Sequence, residues 1–232
     1  MQPLVEVAGL TYRYEDGTEA LKGVNFRLMA GESVALFGAN GSGKSTFARH
    51  LNGLLTGTGK VEVCGMEVSS RTASSIRRKV GLVFQDSDTQ LFMPTVLEDV
   101  AFGLLNQGIA PDEARKRAMA ALDRAGMLSA MSKAPYHLSA GEKKRVAIAG
   151  ILALEPEILV LDEPTTFLDP PGQRALAELL RNLPQAKILI THDTPFALAT
   201  CTRAVFFREG VVEAEGTVRS IADRFGWEFP VH

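Results

Sequence analysis

The sequence predicts an α/β fold: a mostly parallel sheet covered by helices, an N-terminal antiparallel β-subdomain and an inserted α-helical subdomain. Three observations carry this. The short apolar runs SVALFG (33–38), VGLVFQ (80–85), ILVLDE (158–163) and KILITH (187–192) are continuous rather than alternating, as in strands buried on both faces. The runs LVEVAGLTYRY (4–14) and ALKGVNFRLMAGE (20–32) alternate and flank the turn-rich EDGTE, the pattern of antiparallel strands. Residues 95–155 carry helix-start signals in series.

In chain order, the two N-terminal strands lead into the first apolar run and then a Gly-rich loop. The helix FARHLNGLL follows, and KVEVCG (60–65) reads as another strand. Beyond the 80–85 run, Thr95-x-x-Glu98 is a capping box that opens a helix. Pro111 with Asp112 and Glu113 opens DEARKRAMAALDRAG, which Gly126 stops. Ser139-x-x-Glu142 is a second capping box, placing VAIAGILALE on a helix. RAVFFREGVVEAEG reads as a hairpin turning at Glu209-Gly210. The whole is one domain: core and β-subdomain in 1–86 and 156–218, helical subdomain in 87–155, and a C-terminal tail in 219–232. In that tail, Trp227 and nearby phenylalanines are expected to pack on the body or on a second copy.

The 232 residues carry a net charge of −2 and are 46% hydrophobic, an ordinary globular composition with ample length for a core. Near-neutral charge argues against general nucleic-acid binding, which needs a basic footprint. No apolar run reaches the roughly 18–20 residues that cross a bilayer. The start MQPLVEVAGL lacks a secretory pattern. Cys64 and Cys201 have neither disulfide-framework nor metal spacing. A cytoplasmic setting is expected, with membrane contact only through a partner.

The four continuous runs end in Gly38, Gln85, Asp162 with Glu163, and His192. Ligands of parallel sheets bind beyond the carboxyl ends of strands, so this convergence points to one site. GANGSGKST (38–46) fits the phosphate-loop pattern between a strand and a helix, marking a P-loop NTPase core. Gly38, Gly41 and Gly43 let the backbone curl so that N–H groups of the loop, Ala39, Asn40 and Ser42 included, face phosphate oxygens. The next helix adds its positive end. Lys44 is placed to bridge the β- and γ-phosphates, and Ser45, followed by Thr46, to put a hydroxyl on Mg²⁺. Asp162 suits a direct or water-mediated Mg²⁺ contact. Glu163 suits a general base for the attacking water.

The run LSAGE (138–142), twenty positions upstream of Asp162-Glu163, resembles the signature segment of ATP-binding-cassette ATPases. The likeness extends from about Tyr14 to His192. It implies an ATPase in which two chains sandwich two ATP molecules head to tail. Ser139 and Gly141 then bind the γ-phosphate held on the other subunit. Tyr14, with Tyr12 in reserve, stacks on adenine, for which aromatic contacts are worth ~1–3 kcal/mol. Gln85 reaches Mg²⁺ or the attacking water. His192 contacts the γ-phosphate, and Leu168-Asp169 crosses to the other subunit. His50, His137 and His232 have no such context and are read as structural. The chain departs from the common pattern at Ala140, Glu142 and Phe167; Glu142 is expected to serve the capping box.

The segment VFQDSDTQLFMPTVLEDVAFG (83–103) is similar to the ATPase subunits of energy-coupling-factor importers, nearest the cobalt/nickel group. That likeness implies a second ATPase subunit, reasonably an identical copy, an integral membrane coupling subunit and a metal-specific substrate subunit. It places the chain on the cytoplasmic face of the cell membrane. Gln90, Leu91, Phe92 and Met93 are the expected coupling contacts, and Leu91, Phe92 and Val96 read equally as subdomain core. The transported ion is expected on the partners, because no cluster here has cobalt or nickel spacing. A vitamin importer is the alternative. A soluble cassette ATPase of DNA repair or translation usually carries long inserts or a second cassette. A GTPase lacks an N-K-x-D signal here, and a non-catalytic scaffold leaves Lys44, Gln85, Glu163 and His192 without purpose.

Overall fold

A computed structural model describes residues 2–227, without the side chain of Asp88. The chain runs β1 (Val5–Arg13), β2 (Glu19–Leu28), β3 (Ser33–Phe37), α1 (Lys44–Leu51), β4 (Thr58–Val63), β5 (Met66–Glu67), α2 (Ala73–Lys79) and β6 (Val80–Val83). It continues with α3 (Val96–Asn106), α4 (Pro111–Arg124), α5 (Ala140–Leu152), β7 (Ile158–Asp162), α6 (Pro170–Arg181) and β8 (Ala186–Ile190). It closes with α7 (Thr194–Thr200), β9 (Arg203–Arg208), β10 (Val211–Thr217) and α8 (Val218–Phe225).

The expected architecture is present. The alternating runs form an antiparallel sheet in the order β2-β1-β4-β5. The continuous runs form four adjacent strands, β3-β8-β7-β6, of a six-stranded sheet in the order β10-β9-β3-β8-β7-β6. Its strands from β9 to β6 are parallel, and the β9–β10 hairpin adds one antiparallel edge. Because β3, β8, β7 and β6 run the same way side by side, their carboxyl ends share one edge. Gly38, Gln85, Glu163 and His192 follow those ends by one or two residues.

Three apolar clusters hold the fold. One lies between the two sheets and takes in Phe47 of α1. A second covers the other face of the parallel sheet with α5, α6, α7 and α8. The third belongs to the helical subdomain, where Val100, Leu104, Ala118, Leu122 and Val146 meet. The two larger capping signals act as read. Thr95 accepts from the Glu98 N–H, and Ser139 and Glu142 form a full reciprocal box. Glu98 differs in detail: its carboxylate takes the Thr95 hydroxyl, at 2.7 Å. Gly81 lets α5 settle on β6, since a Cβ there would lie 2.0 Å from the Ile151 side chain.

The segment expected as a C-terminal tail includes a helix. Residues 218–225 are a helix, capped by Thr217 and stopped by left-handed Gly226. Its Phe225 stacks on Phe206 at 3.8 Å between centroids, and Trp227 meets Phe206 edge-on at 5.3 Å. These residues therefore pack on the body. Phe229 and His232 lie outside the described residues. Helices α2, α6 and α7 also go beyond the sequence reading; Asp169 and Asp193 cap the last two.

Candidate active site

The phosphate loop is shaped by close approach to its neighbours. Gly38 has φ +136°, and a Cβ there would sit 2.1 Å from the Phe207 carbonyl. Gly43 has φ +106°, with the Ala20 carbonyl 2.6 Å from the same construction. No side chain is tolerated at either point. The β9–β10 turn braces the loop from outside, where the Gly210 N–H donates to the Ser42 carbonyl at 3.0 Å. Helix α1 starts without a side-chain cap, so its first N–H groups stay directed into the loop. A helix N-terminus in that condition attracts anions.

Lys44 is 5% exposed. Its ammonium donates to the carbonyls of Gly38 at 2.7 Å and Ala39 at 2.9 Å. Burial lowers its pKa, while the charges of Glu163 and Asp162 oppose that shift. Tyr14 stands beside the same cleft, its hydroxyl 2.9 Å from that of Thr46. Tyr12 instead packs against the core between the sheets and edge-on against His50. Of the two tyrosines, Tyr14 is the one positioned at the cleft.

Asp162 ends β7, and burial raises its pKa against the opposing hydrogen bond from Ser45. Ser45 and Asp162 therefore adjoin, and Gln85 lines the same cleft. Their hydroxyl, carboxylate and amide oxygens form an all-oxygen donor set, which fits Mg²⁺. Glu163 has a left-handed backbone, φ +44°. That turn aims its carboxylate at His192: Oε1 lies 3.1 Å from His192 Nε2, and Oε2 accepts from the His192 N–H at 3.3 Å. Burial pushes Glu163 up to about 7, opposed by the His192 N–H. Burial, then the Lys44 charge, lowers His192. The imidazole Nε2 is also 3.1 Å from the Asn40 side-chain oxygen. A carboxylate ionising near neutrality beside a cleft is suited to proton transfer. Asn40, Gly41, Gln85, Glu163 and His192 all border a cavity of about 550 Å³.

Ser139 and Gly141 are elsewhere. They line a groove of about 630 Å³ with Phe167, Leu168 and Asp169. No lining residue is shared with the cavities at Lys44 or Glu163. Glu142 accepts from the Ser139 N–H at 2.8 Å, in the capping role expected of it. Asp169 is also a cap: its Oδ1 accepts from the Gly172 N–H at 2.9 Å. Phe167 is left-handed and 80% exposed.

The expected coupling residues divide. Gln90 turns inward: it accepts from the Phe84 N–H at 2.9 Å and donates to the Leu82 carbonyl at 3.2 Å. These bonds make its side chain a brace for the end of β6. Leu91 packs against two of the core clusters. Phe92 is 63% exposed and meets Phe102 edge-on at 5.0 Å. Asp99 holds the N–H groups of Phe92 and Met93, each at 3.0 Å.

Sequence reasoning passed over Asp99 and also Lys144, whose buried ammonium donates to the carbonyls of Phe84 and Gln85. A signal existed for the second: Lys144 shares the helical stripe of buried Ala147, Ile148 and Leu152. Among the described residues no group of three His, Cys, Asp or Glu side chains is arranged to hold a metal ion. Among the same residues no helix is long and apolar enough to cross a membrane.

Comparison with known proteins bears on these motifs. The ABC transporter family profile matches residues 21–166. The "Energy-coupling factor transporter ATP-binding protein EcfA" of Methanosphaera stadtmanae is 44% identical over 227 residues, covering 95% of this chain and 82% of that protein. The structure of cbiO1 from Clostridium perfringens, described as part of the ABC transporter complex cbiONQ, superposes with a TM-score of 0.87. Its identity is 38%, over 97% of this chain and 92% of that one. A dimeric post-hydrolysis structure of the cassette MJ0796, bound to ADP and Pi, gives a TM-score of 0.83 at 32% identity. It covers 93% of this chain and 99% of that one.

Proposed function

The chain belongs to the ABC transporter family and is an ATP-binding ATPase, and on that premise we propose that it powers an energy-coupling-factor importer for cobalt or nickel. The observation that carries the ATPase mechanism is the convergence of Lys44, Glu163 and His192 at one edge of the parallel sheet. The importer branch is supported by the 83–103 segment, by the likeness to EcfA and by the likeness to cbiO1 of a cbiONQ complex.

In this reading Tyr14 packs on the adenine, and the loop 38–46 wraps the phosphates with backbone N–H groups. Lys44 exchanges its loop carbonyls for phosphate oxygens. Ser45, Asp162 and Gln85 hold Mg²⁺, which neutralises phosphate charge when bound. Glu163 takes a proton from the attacking water at its carboxylate. His192, fixed against Glu163 and Asn40, orients that water and the γ-phosphate. Ser139 and Gly141 meet the γ-phosphate of a second copy, so two chains complete each site. Gln90, Leu91, Phe92 and Met93 contact the membrane partner, to which exposed Phe92, against Phe102, offers an apolar surface.

The test is affinity purification of the tagged chain from detergent-solubilised membranes of its own cells, followed by uptake of radioactive nickel and cobalt into vesicles carrying the recovered complex. An integral membrane partner and ATP-dependent metal uptake are expected. Recovery without any membrane protein would sink the importer reading. Uptake of a vitamin but not of metal would move the chain to the alternative branch.

A further inference from the structure

Lys144 is 2% exposed. Lysine is almost never that buried unless paired. The other two buried lysines have evident tasks. Lys44 belongs to the phosphate loop, and Lys187 stitches its own neighbourhood, donating to the carbonyls of Leu183 and Gln185. Lys144 is different because its partners are 60 and 59 residues away. Its ammonium leaves α5 and donates to the Phe84 carbonyl at 3.1 Å and the Gln85 carbonyl at 2.7 Å. Burial lowers its pKa, against the charges of Asp86 and Asp162.

Two anchors therefore hold the stretch that presents Gln85. Gln90 grips Phe84 and Leu82 from the chain's own continuation. Lys144 grips Phe84 and Gln85 from the helical subdomain. The Gln85 side chain is exposed and borders both cavities at the nucleotide site, so the anchored atoms are those of its backbone. Lys144 lies five residues beyond Ser139 on one unbroken helix. At ~1.5 Å per residue that is about 7–8 Å of rigid rod between the signature turn and the Gln85 anchor.

We propose that Lys144 is a positioning residue, which sets Gln85 over the nucleotide site and ties that setting to the helix bearing the signature turn. The inference rests on the reading that Gln85 acts on Mg²⁺ or the attacking water. A shift of α5 then moves Gln85 with it, so engagement of Ser139 is transmitted to the hydrolytic centre of the same chain.

A double-mutant cycle on the full chain tests this by steady-state ATP hydrolysis. Lys144→Met keeps an unbranched apolar stem out to Cε and removes the ammonium donor. It is expected to lower kcat about tenfold with KM for ATP within about twofold, a coupling of the size neighbouring groups show. Gln85→Ala is expected to lower kcat by itself. In the Gln85→Ala background, Lys144→Met is expected to cost less than about twofold more. Full multiplication of the two effects, or an intact kcat in Lys144→Met, overturns the inference and leaves the Gln85 reading standing. A wild-type kcat in Gln85→Ala alone overturns both. A merely structural lysine lowers the melting temperature in either background and multiplies in full. Should Lys144→Met fail to fold by circular dichroism, Lys144→Leu, which likewise removes the donor, enters the same cycle with the same criteria.

Discussion

The cleft around Lys44 and the groove around Ser139 use their polar groups in opposite ways. In the cleft the candidates hold one another: Glu163 grips His192, His192 reaches Asn40, and Ser45 bonds Asp162. Burial has shifted their ionisation, and the loop glycines leave no room for side chains at Gly38 and Gly43. In the groove the polar groups serve local helix ends instead. Ser139 and Glu142 cap α5, and Asp169 caps α6. A prebuilt charged cluster suits bond-breaking chemistry, since fixed dipoles need no rearrangement when charge develops. A capped helix start on an open groove suits docking. The proposed division of labour is therefore chemistry in one place and recognition of a second copy in the other.

The strongest way to break that division is Glu163→Gln. Loss of a general base is worth about 10²–10⁴-fold in rate. Phosphate release is expected to fall by at least about a hundredfold, while ATP affinity by calorimetry stays near that of the unaltered chain. Hydrolysis at the unaltered rate would remove Glu163 from the role of base.

A smaller effect follows from the same carboxylate without nucleotide. Burial raises Glu163 from 4.5 to about 7. Below pH 4.5 both folded and unfolded chains hold the proton, and the group is neutral to stability. As pH rises from 4.5 towards 7 the unfolded chain ionises first, so this group lowers stability progressively. Above 7 both states are ionised and the penalty is constant, on the order of 3 kcal/mol. Glutamine at 163 has no such term. Glu163→Gln is therefore expected to raise the apo melting temperature at pH 8 and to leave it little changed at pH 4.5. An equal change at both pH values would show that the carboxylate is not desolvated as described.

Legibility followed the same division. The cleft was readable because its chemistry is spelled in contiguous motifs at strand ends, and a continuous apolar run such as ILVL admits few other structures. The antiparallel sheet was readable from alternation in 4–14 and 20–32. What escaped was structure that depends on distant partners. Lys144 looks like any lysine after a capping box until the Phe84 and Gln85 carbonyls appear beside it. Gln90 looks exposed until its amide is seen to close on Phe84 and Leu82. Helix α8 hid behind the Gly and aromatic residues that follow it, although Thr217 supplies an ordinary cap.

The finest test concerns the groove, where stability and recognition rest on one hydroxyl. Ser139→Ala removes the α5 cap and is expected to cost about 0.5–2 kcal/mol of stability, so any loss of turnover is ambiguous. Ser139→Gly removes the same hydroxyl but costs only a few tenths of a kcal/mol, since glycine is tolerated at a cap. If Ser139 donates to a phosphate on a second copy, both variants lose turnover alike, by roughly ten- to a hundredfold for one hydrogen bond to a charged group. Their melting temperatures differ, and ATP binding to the single chain is unchanged, because the groove shares no lining residue with the cleft at Lys44. If Ser139 is a cap and nothing more, Ser139→Gly hydrolyses ATP at the unaltered rate. Turnover that follows stability would reduce the signature turn to a helix start; turnover that follows the hydroxyl would keep it as half of a shared site.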